Sequence, residues 1–123
     1  MFAHCSIYVK SLEDSKEFYE KVMSSLGHKL SFGEEENFWA FESADGTLFE
    51  ILQRKDETPI CFCCHVAFRA KDREQVDQFY KTSIEAGGIC NGPPGPRPQY
   101  TKNYYAAYIY DPDGHNIEAV HDF

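Results

Sequence analysis

The sequence predicts an α+β fold built from two tandem modules, each with a strand, a helix and then further strands. Landmark residues recur at matching distances in the two halves of the chain, and each half alternates apolar and polar residues with the period of two that strands require. His4 opens the first half and is followed fourteen residues later by Phe18-Tyr19; His65 opens the second and is followed fourteen residues later by Phe79-Tyr80.

A second pair of landmarks lies at the other end of each half. Asp45-Gly46 begins five residues before Glu50, as Asp113-Gly114 begins five residues before Glu118. The offset between the halves is 61 residues at the start and 68 at the end, so a single insertion of seven residues reconciles them. We expect it in the loop 91–103. Internal repetition of this kind indicates duplication of one structural unit.

The first module is predicted to begin with a strand over residues 4–9. A helix follows from Ser11, where Ser11-x-x-Asp14 resembles a capping box, and Gly27 ends it. Further strands are predicted around an Asp45-Gly46 hairpin turn, at 28–33, 38–43 and 47–53.

The second module repeats this plan. A strand is predicted over 62–70, and Asp72 begins a helix that Gly87-Gly88 ends. A short strand at 89–90 then leads into residues 91–98, whose four prolines argue against regular structure. The last predicted strands are 104–110 and 115–121. The chain is therefore expected to form one domain over 1–123, with modules at about 1–57 and 60–123.

The strand period also predicts where the chemically active side chains lie. If alternate residues of each strand pack under the helix, then His4, Glu50, His65 and Glu118 all lie on the opposite face. Two imidazoles and two carboxylates suit a divalent ion such as zinc, nickel, iron, cobalt or manganese, and leave coordination positions for a substrate. The alternative is four exposed polar residues on a solvated sheet. Recurrence of the same pair in both modules favours the metal site.

Composition narrows the choice of partners. The net charge is −8 and the basic residues are scattered, which argues against nucleic-acid binding. No stretch has the length and apolar character of a membrane span, and no secretion signal precedes the first strand. Five cysteines, an odd number without scaffold-like spacing, are typical of a reducing cytoplasm. We expect a cytoplasmic protein that acts on a small molecule.

Three motifs resemble the vicinal oxygen chelate superfamily, which includes glyoxalases, bleomycin-resistance proteins and extradiol dioxygenases. They are His-x-x-Ile-x-Val at 4–9, His-Val-Ala-Phe at 65–68 and Asp-Pro-Asp-Gly-His-Asn-Ile-Glu at 111–118. The resemblance covers essentially the whole chain. It implies paired βαβββ modules that form a cupped mixed sheet around a metal, with His4, Glu50, His65 and Glu118 as ligands.

The resemblance also implies an activity. The expected enzyme binds a substrate through vicinal oxygens and stabilises an enediolate or a similar oxyanion, with Glu118, or Glu50 by pseudosymmetry, as general base. In glyoxalase I-type members two subunits share each site, which implies a homodimer. The alternative is a metal-free binding protein of the bleomycin-resistance type.

The substrate pocket is harder to predict. Small glyoxalase I enzymes place an arginine, which meets glutathione, where this chain has Tyr8, and this difference argues against a glutathione substrate. Arg69 shares the strand face of His65 and could bind an anionic group. The candidate pocket residues are Tyr8, Trp39, Arg69 and Tyr105.

Overall fold

A computed structural model describes residues 1–61 and 63–123 of the chain. It contains eight strands and two helices among these residues, in the order β-α-β-β-β twice over. The elements are β1 (His4–Val9), α1 (Leu12–Ser25), β2 (Lys29–Glu34), β3 (Phe38–Glu42), β4 (Leu48–Gln53), β5 (His65–Arg69), α2 (Arg73–Glu85), β6 (Ile89–Pro96), β7 (Tyr105–Tyr110) and β8 (Asn116–His121).

Each module forms its own four-stranded mixed sheet. The strand order is β1-β4-β3-β2 in the first and β5-β8-β7-β6 in the second. In both sheets the first strand pairs in parallel with the last, and the remaining pairs are antiparallel. The predicted fold of two tandem βαβββ modules is thus confirmed.

Local signals begin and end both helices where the sequence predicts. The side chain of Ser11 accepts a hydrogen bond from the Asp14 N–H, and the side chain of Asp72 accepts one from the Gln75 N–H. Gly27 follows α1 with a φ of 81°, a left-handed conformation that glycine adopts at little cost. Among the described residues, neither helix combines the length and apolar character needed to cross a membrane.

The two modules share one hydrophobic core. The helices contact each other, and the ring of Phe49 from the first sheet lies 5.0 Å from that of Phe68 in the second, measured between centroids. A single cluster of buried side chains includes helix-facing residues from both sheets. Because both sheets turn their helix-facing sides inward, their opposite faces lie on the outside of the chain.

The proline-rich segment differs from its prediction. Residues 91–96 continue strand β6 and pair with β7, although the register shifts on both sides of Gly92. β6 is an edge strand, so its outer side needs no hydrogen bonds, and the bulges accommodate prolines that lack an N–H. The inserted residues lie in this region: β2 and β3 are joined by residues 35–37, whereas 97–104 join β6 and β7.

Candidate functional site

One predicted histidine–glutamate pair meets on the outer face of the second sheet. The Nε2 atom of His65 lies 2.9 Å from the Oε2 atom of Glu118. The side chain of Glu118 is only 3% exposed, whereas that of His65 is 43% exposed, so the imidazole borders solvent and the carboxylate does not. Removing a carboxylate from water is unfavourable in free energy unless polar groups bond to it, so Glu118 is expected to have hydrogen-bond donors around it.

Two tyrosines of the second module complete the surroundings of Glu118. The Tyr104 hydroxyl donates a 2.5 Å hydrogen bond to Oε1, and Tyr108 pairs directly with Glu118 in the β7–β8 register. Burial, followed by the charge of Glu118, raises the pKa of Tyr108 to about 12. Burial and the hydrogen bond to Glu118 raise the pKa of Tyr104 as well. Both phenols therefore stay protonated as donors at physiological pH.

The first module repeats the backbone arrangement with a different contact. His4 pairs with Leu48, two residues before Glu50, just as His65 pairs with Asn116, two residues before Glu118. Both histidines therefore have the same stagger relative to their glutamates. The Glu50 carboxylate, however, accepts a 2.9 Å hydrogen bond from Ser6, at a position that Ala67 occupies in the second module.

The two pairs do not meet within one chain. They lie on the outer faces of sheets whose inner faces share the core, which separates them. In the part of the chain that the structure describes, the one group of three carboxylate, imidazole or thiolate side chains with ligand atoms within 4.8 Å of one another is Asp111, Asp113 and His115. A four-ligand site of His4, Glu50, His65 and Glu118 would therefore need two chains.

That buried group is already saturated by internal contacts. One Asp111 oxygen accepts a 2.6 Å hydrogen bond from Tyr19 and lies 2.7 Å from the His115 Nδ1 atom. The other oxygen accepts the N–H groups of Asp113 and His115. With these partners in place, Asp111 connects parts of the fold and does not offer free ligand atoms.

The structure places two of the four candidate pocket residues on the outer faces. Tyr8 is 49% exposed on β1, and Arg69 is exposed on β5 with its guanidinium carbon 5.0 Å from the Phe123 ring centroid. Both sheet faces therefore carry an aromatic or cationic side chain near the predicted ligands.

The other two candidates lie on the helix side, away from the predicted ligands. Trp39 pairs with buried Ile51, and Lys16 of α1 lies 4.2 Å from its ring centroid. Tyr105 donates a 2.7 Å hydrogen bond to Asp77 of α2. Strand alternation turns both rings toward the helices, where Trp39 borders a separate cavity of about 700 Å³ with Lys16. A pocket role for these two residues remains a prediction.

The tyrosines around Glu118 were not among the predicted site residues. Counting outward from the Asp111–Gly114 turn pairs Tyr108 with Glu118, so the sequence contained a signal for this residue. Tyr104 lies just before β7, where strand alternation no longer applies. Its contact depends on the path of the preceding loop.

The model of the Glyoxalase/Bleomycin resistance protein/Dioxygenase superfamily matches residues 1–119. The chain belongs to this superfamily. No curated protein sequence matches it significantly.

Solved structures of the superfamily include a similar one. A glyoxalase/bleomycin resistance protein from Albidiferax ferrireducens T118 is 32% identical, with a TM-score of 0.87 and 99% of each chain covered. That agreement along the full length supports the whole two-module arrangement.

Two solved structures of lower identity share the fold. The first is a lactoylglutathione lyase from Agrobacterium tumefaciens, with 19% identity, a TM-score of 0.72 and coverage of 98% of this chain and 92% of the other. The second is a mutant of the fosfomycin resistance protein FosX from Listeria monocytogenes, crystallised with Mn(II) and 1S,2S-dihydroxypropylphosphonic acid. It has 22% identity, a TM-score of 0.70 and coverage of 97% and 87%.

Proposed function

We propose that this protein is a divalent-metal enzyme that acts on a small substrate with vicinal oxygens. The single observation that carries the proposal is the 2.9 Å separation of His65 Nε2 and Glu118 Oε2. This contact holds an imidazole nitrogen beside a carboxylate oxygen, and both donor types suit a divalent ion, which would take the place of the hydrogen bond between them.

The remaining ligands would come from a second copy of the chain. His4 and Glu50 have the same backbone stagger as His65 and Glu118, so each module can offer one imidazole and one carboxylate. Because the two pairs face outward from one chain, we propose a homodimer in which the first module of one copy faces the second module of the other. Nitrogen and oxygen donors of this kind suit zinc, nickel, iron, cobalt or manganese.

When bound, such an ion acts as a Lewis acid that stabilises negative charge on a substrate oxygen. The substrate-facing wall would include Tyr8 of one copy and His65 of the other. His65 also borders a cavity of about 630 Å³ at the junction of the modules, lined largely by apolar side chains. Such a lining would limit the access of water, and a site with little water strengthens the attraction between a developing oxyanion and a bound cation.

The contacts favour Glu50 as the general base that removes a substrate proton. Either glutamate could take this role by pseudosymmetry, but Glu118 is buried and bonded to both His65 and Tyr104. Glu50 has a single hydrogen bond, from the Ser6 hydroxyl, and is more exposed. A general base must come within hydrogen-bond distance of the substrate proton. Glu50 can move there by giving up one hydrogen bond, whereas Glu118 would give up two.

Complementation between inactive variants tests the shared site. One variant carries His4→Ala and Glu50→Gln, and the other His65→Ala and Glu118→Gln. Each alone should bind no metal, measured by elemental analysis after titration with Ni²⁺, Zn²⁺, Mn²⁺ and Fe²⁺ and removal of the excess ion. After mixed refolding, half of the dimers contain both variants and each of these has one intact site, so about a quarter of the wild-type metal should return.

The matched control is His121→Gln, which removes an imidazole from the same strand as Glu118. Its Nδ1 atom lies 3.2 Å from the carbonyl oxygen of Ala70, away from the pair. This variant should bind about one ion per chain, as the wild type does. A wild-type chain that stays empty in all four titrations would contradict the proposal. Because Tyr104 and His65 already satisfy Glu118, that result would favour the metal-free binding protein.

A further inference from the structure

We propose that Arg97 recognises an anionic group, a carboxylate or a phosphonate, on the substrate of the site proposed above; this inference rests on that proposed function. Arg97 lies at the end of the proline-rich segment, which folds back along β7 and brings the side chain over Tyr108. Its guanidinium carbon is 5.5 Å from the centroid of the Tyr108 ring.

Backbone carbonyls of the same segment hold the guanidinium in place. Its Nη2 donates a 2.7 Å hydrogen bond to the Pro93 carbonyl, and its Nη1 donates one of 3.2 Å to that of Pro96. Carbonyl oxygens orient the cation without neutralising it. A guanidinium has five N–H donors, so these two contacts leave donors for a ligand.

Two glycines make room for this arrangement. A Cβ atom on Gly92 would lie 3.0 Å from Cδ2 of Tyr108 and 3.4 Å from Nη2 of Arg97, and one on Gly95 would lie 3.2 Å from Nη1. Gly92 also has a φ of 155°, which L side chains rarely adopt. The two glycines thus let the backbone of the segment pack against the Arg97 guanidinium, which is held in position without a ligand.

The location connects the cation to the proposed site. The Arg97 N–H donates a 2.7 Å hydrogen bond to the Tyr104 carbonyl, and the ring beneath the guanidinium belongs to Tyr108, so Arg97 contacts both aromatic neighbours of Glu118. Within residues 1–61 and 63–123, no carboxylate oxygen lies within 4.0 Å of its guanidinium nitrogens. A fixed arginine without an acidic partner is suited to a planar or tetrahedral oxyanion.

Arg69, the arginine that the sequence suggested for this role, has a different environment. It is exposed on an edge strand, and its guanidinium lies over the ring of Phe123, near the end of the chain. It borders the cavity of about 630 Å³ beside His65, but within residues 1–61 and 63–123 no backbone carbonyl holds its guanidinium as those of Pro93 and Pro96 hold that of Arg97. The better supported position for anion binding is therefore Arg97.

Titration of chelator-treated protein with simple anions tests the inference. The probes are methylphosphonate and acetate, with acetamide as the uncharged analogue of acetate, and binding is followed by the NMR signals of labelled tyrosine rings. The wild type should bind at least one of the anions about tenfold or more tightly than acetamide, and Arg97→Met should lose about tenfold or more in affinity for it. The stronger of the two anions identifies the group that the substrate carries.

Arg73→Met is the matched control. Arg73 also lies over a β7 tyrosine, with its guanidinium carbon 5.1 Å from the Tyr105 ring centroid, but on the helix side. This variant should keep the wild-type affinity. Equal affinity of Arg97→Met and wild type, or equal binding of acetate and acetamide with no response to methylphosphonate, would overturn the inference.

A folding defect in Arg97→Met would not end the test. In the wild type, the Nε–H signal of Arg97 must shift as the anion is added, and an unmoved signal at saturation overturns the inference. All of these measurements use metal-free protein, so their failure is distinct from a failure of the metal complementation, which tests the proposed function itself.

Discussion

The hydroxyl of Tyr19 donates a 2.6 Å hydrogen bond to the carboxylate of Asp111, joining helix α1 of the first module to the last hairpin of the second. Next to it, the Lys10 N–H contacts both oxygens of Asp113 at 3.3 Å. Both aspartates are buried. These contacts secure the interface between the modules and so fix the orientation of the two outer faces relative to each other.

Removing the Tyr19 hydroxyl should destabilise the fold. Tyr19→Phe deletes a hydrogen bond to a buried carboxylate, and such charge-assisted bonds contribute about 1.5–3 kcal/mol. We expect a loss of that order in the free energy of unfolding, measured by chemical denaturation with an unchanged slope.

Tyr80→Phe provides the control because Tyr80 occupies the equivalent position on α2 and is only partly buried. Its loss should change the free energy of unfolding by about 0.5 kcal/mol or less, as for most substitutions at partly exposed positions. If the two variants were equally stable, the hydrogen bond to Asp111 would not be a main contact between the modules.

The close approach of Gly88 to the end of α2 gives a second stability prediction. A Cβ atom on Gly88 would lie 2.8 Å from the Ser83 carbonyl oxygen in the last turn of α2 and 3.4 Å from Cε2 of Phe18 on α1. Gly88→Ala must therefore shift backbone, and we expect a destabilisation of about 1–3 kcal/mol. Gly46→Ala is the comparison. A Cβ atom at this position would have no other atom within 4 Å, although the φ of 85° adds backbone strain. A Gly88→Ala variant no less stable than Gly46→Ala would contradict this packing.

Two adjacent tyrosines offer a matched test of Glu118 as a metal ligand, because one contacts Glu118 and the other contacts helix α2. Tyr104→Phe removes the hydrogen bond to Glu118, whereas Tyr105→Phe removes one to Asp77 of α2. Loss of a group that orients a ligand typically lowers metal affinity by about 10–100-fold. Calorimetric titration with Zn²⁺ should show this loss for Tyr104→Phe and near wild-type affinity for Tyr105→Phe. The reverse order would mean that Glu118 is not a ligand.

Much of the fold is predictable because its signals are local. Ser11 and Asp72 cap their helices through side chains three residues from the N–H they bind, and strand alternation places Glu50 and Glu118 opposite the helices. The same alternation, counted from the Asp45-Gly46 turn, would have placed Trp39 on the helix side.

Other features depend on contacts that no short stretch of sequence encodes. The position of Arg97 over Tyr108 requires the bulges of β6, whose register shifts depend on how prolines fit along an edge strand. The contact of Tyr104 with Glu118 depends in turn on the loop 97–104. The positions of Arg97 and Tyr104 are therefore set by the pairing of strands and loops in the folded chain, which local sequence patterns do not predict.

The ionisation of Tyr108 provides a pH test of its position beside Glu118. Its pKa is raised to about 12 by burial and then by the Glu118 charge. In the unfolded chain a tyrosine ionises near pH 10. Between about pH 10 and 12 the unfolded state therefore binds fewer protons than the folded state, and the contribution of Tyr108 to the free energy of unfolding declines as the pH rises.

The substitution Glu118→Gln tests the cause of the raised Tyr108 pKa, because it removes the negative charge and keeps the shape of the side chain. The Tyr108 midpoint, followed through the NMR signal of its ring Cζ, should therefore fall toward 10. Glu42→Gln, a change on the first sheet, should leave it in place. A midpoint that does not move in Glu118→Gln would show that burial alone raises the Tyr108 pKa and that the carboxylate lies farther from this hydroxyl.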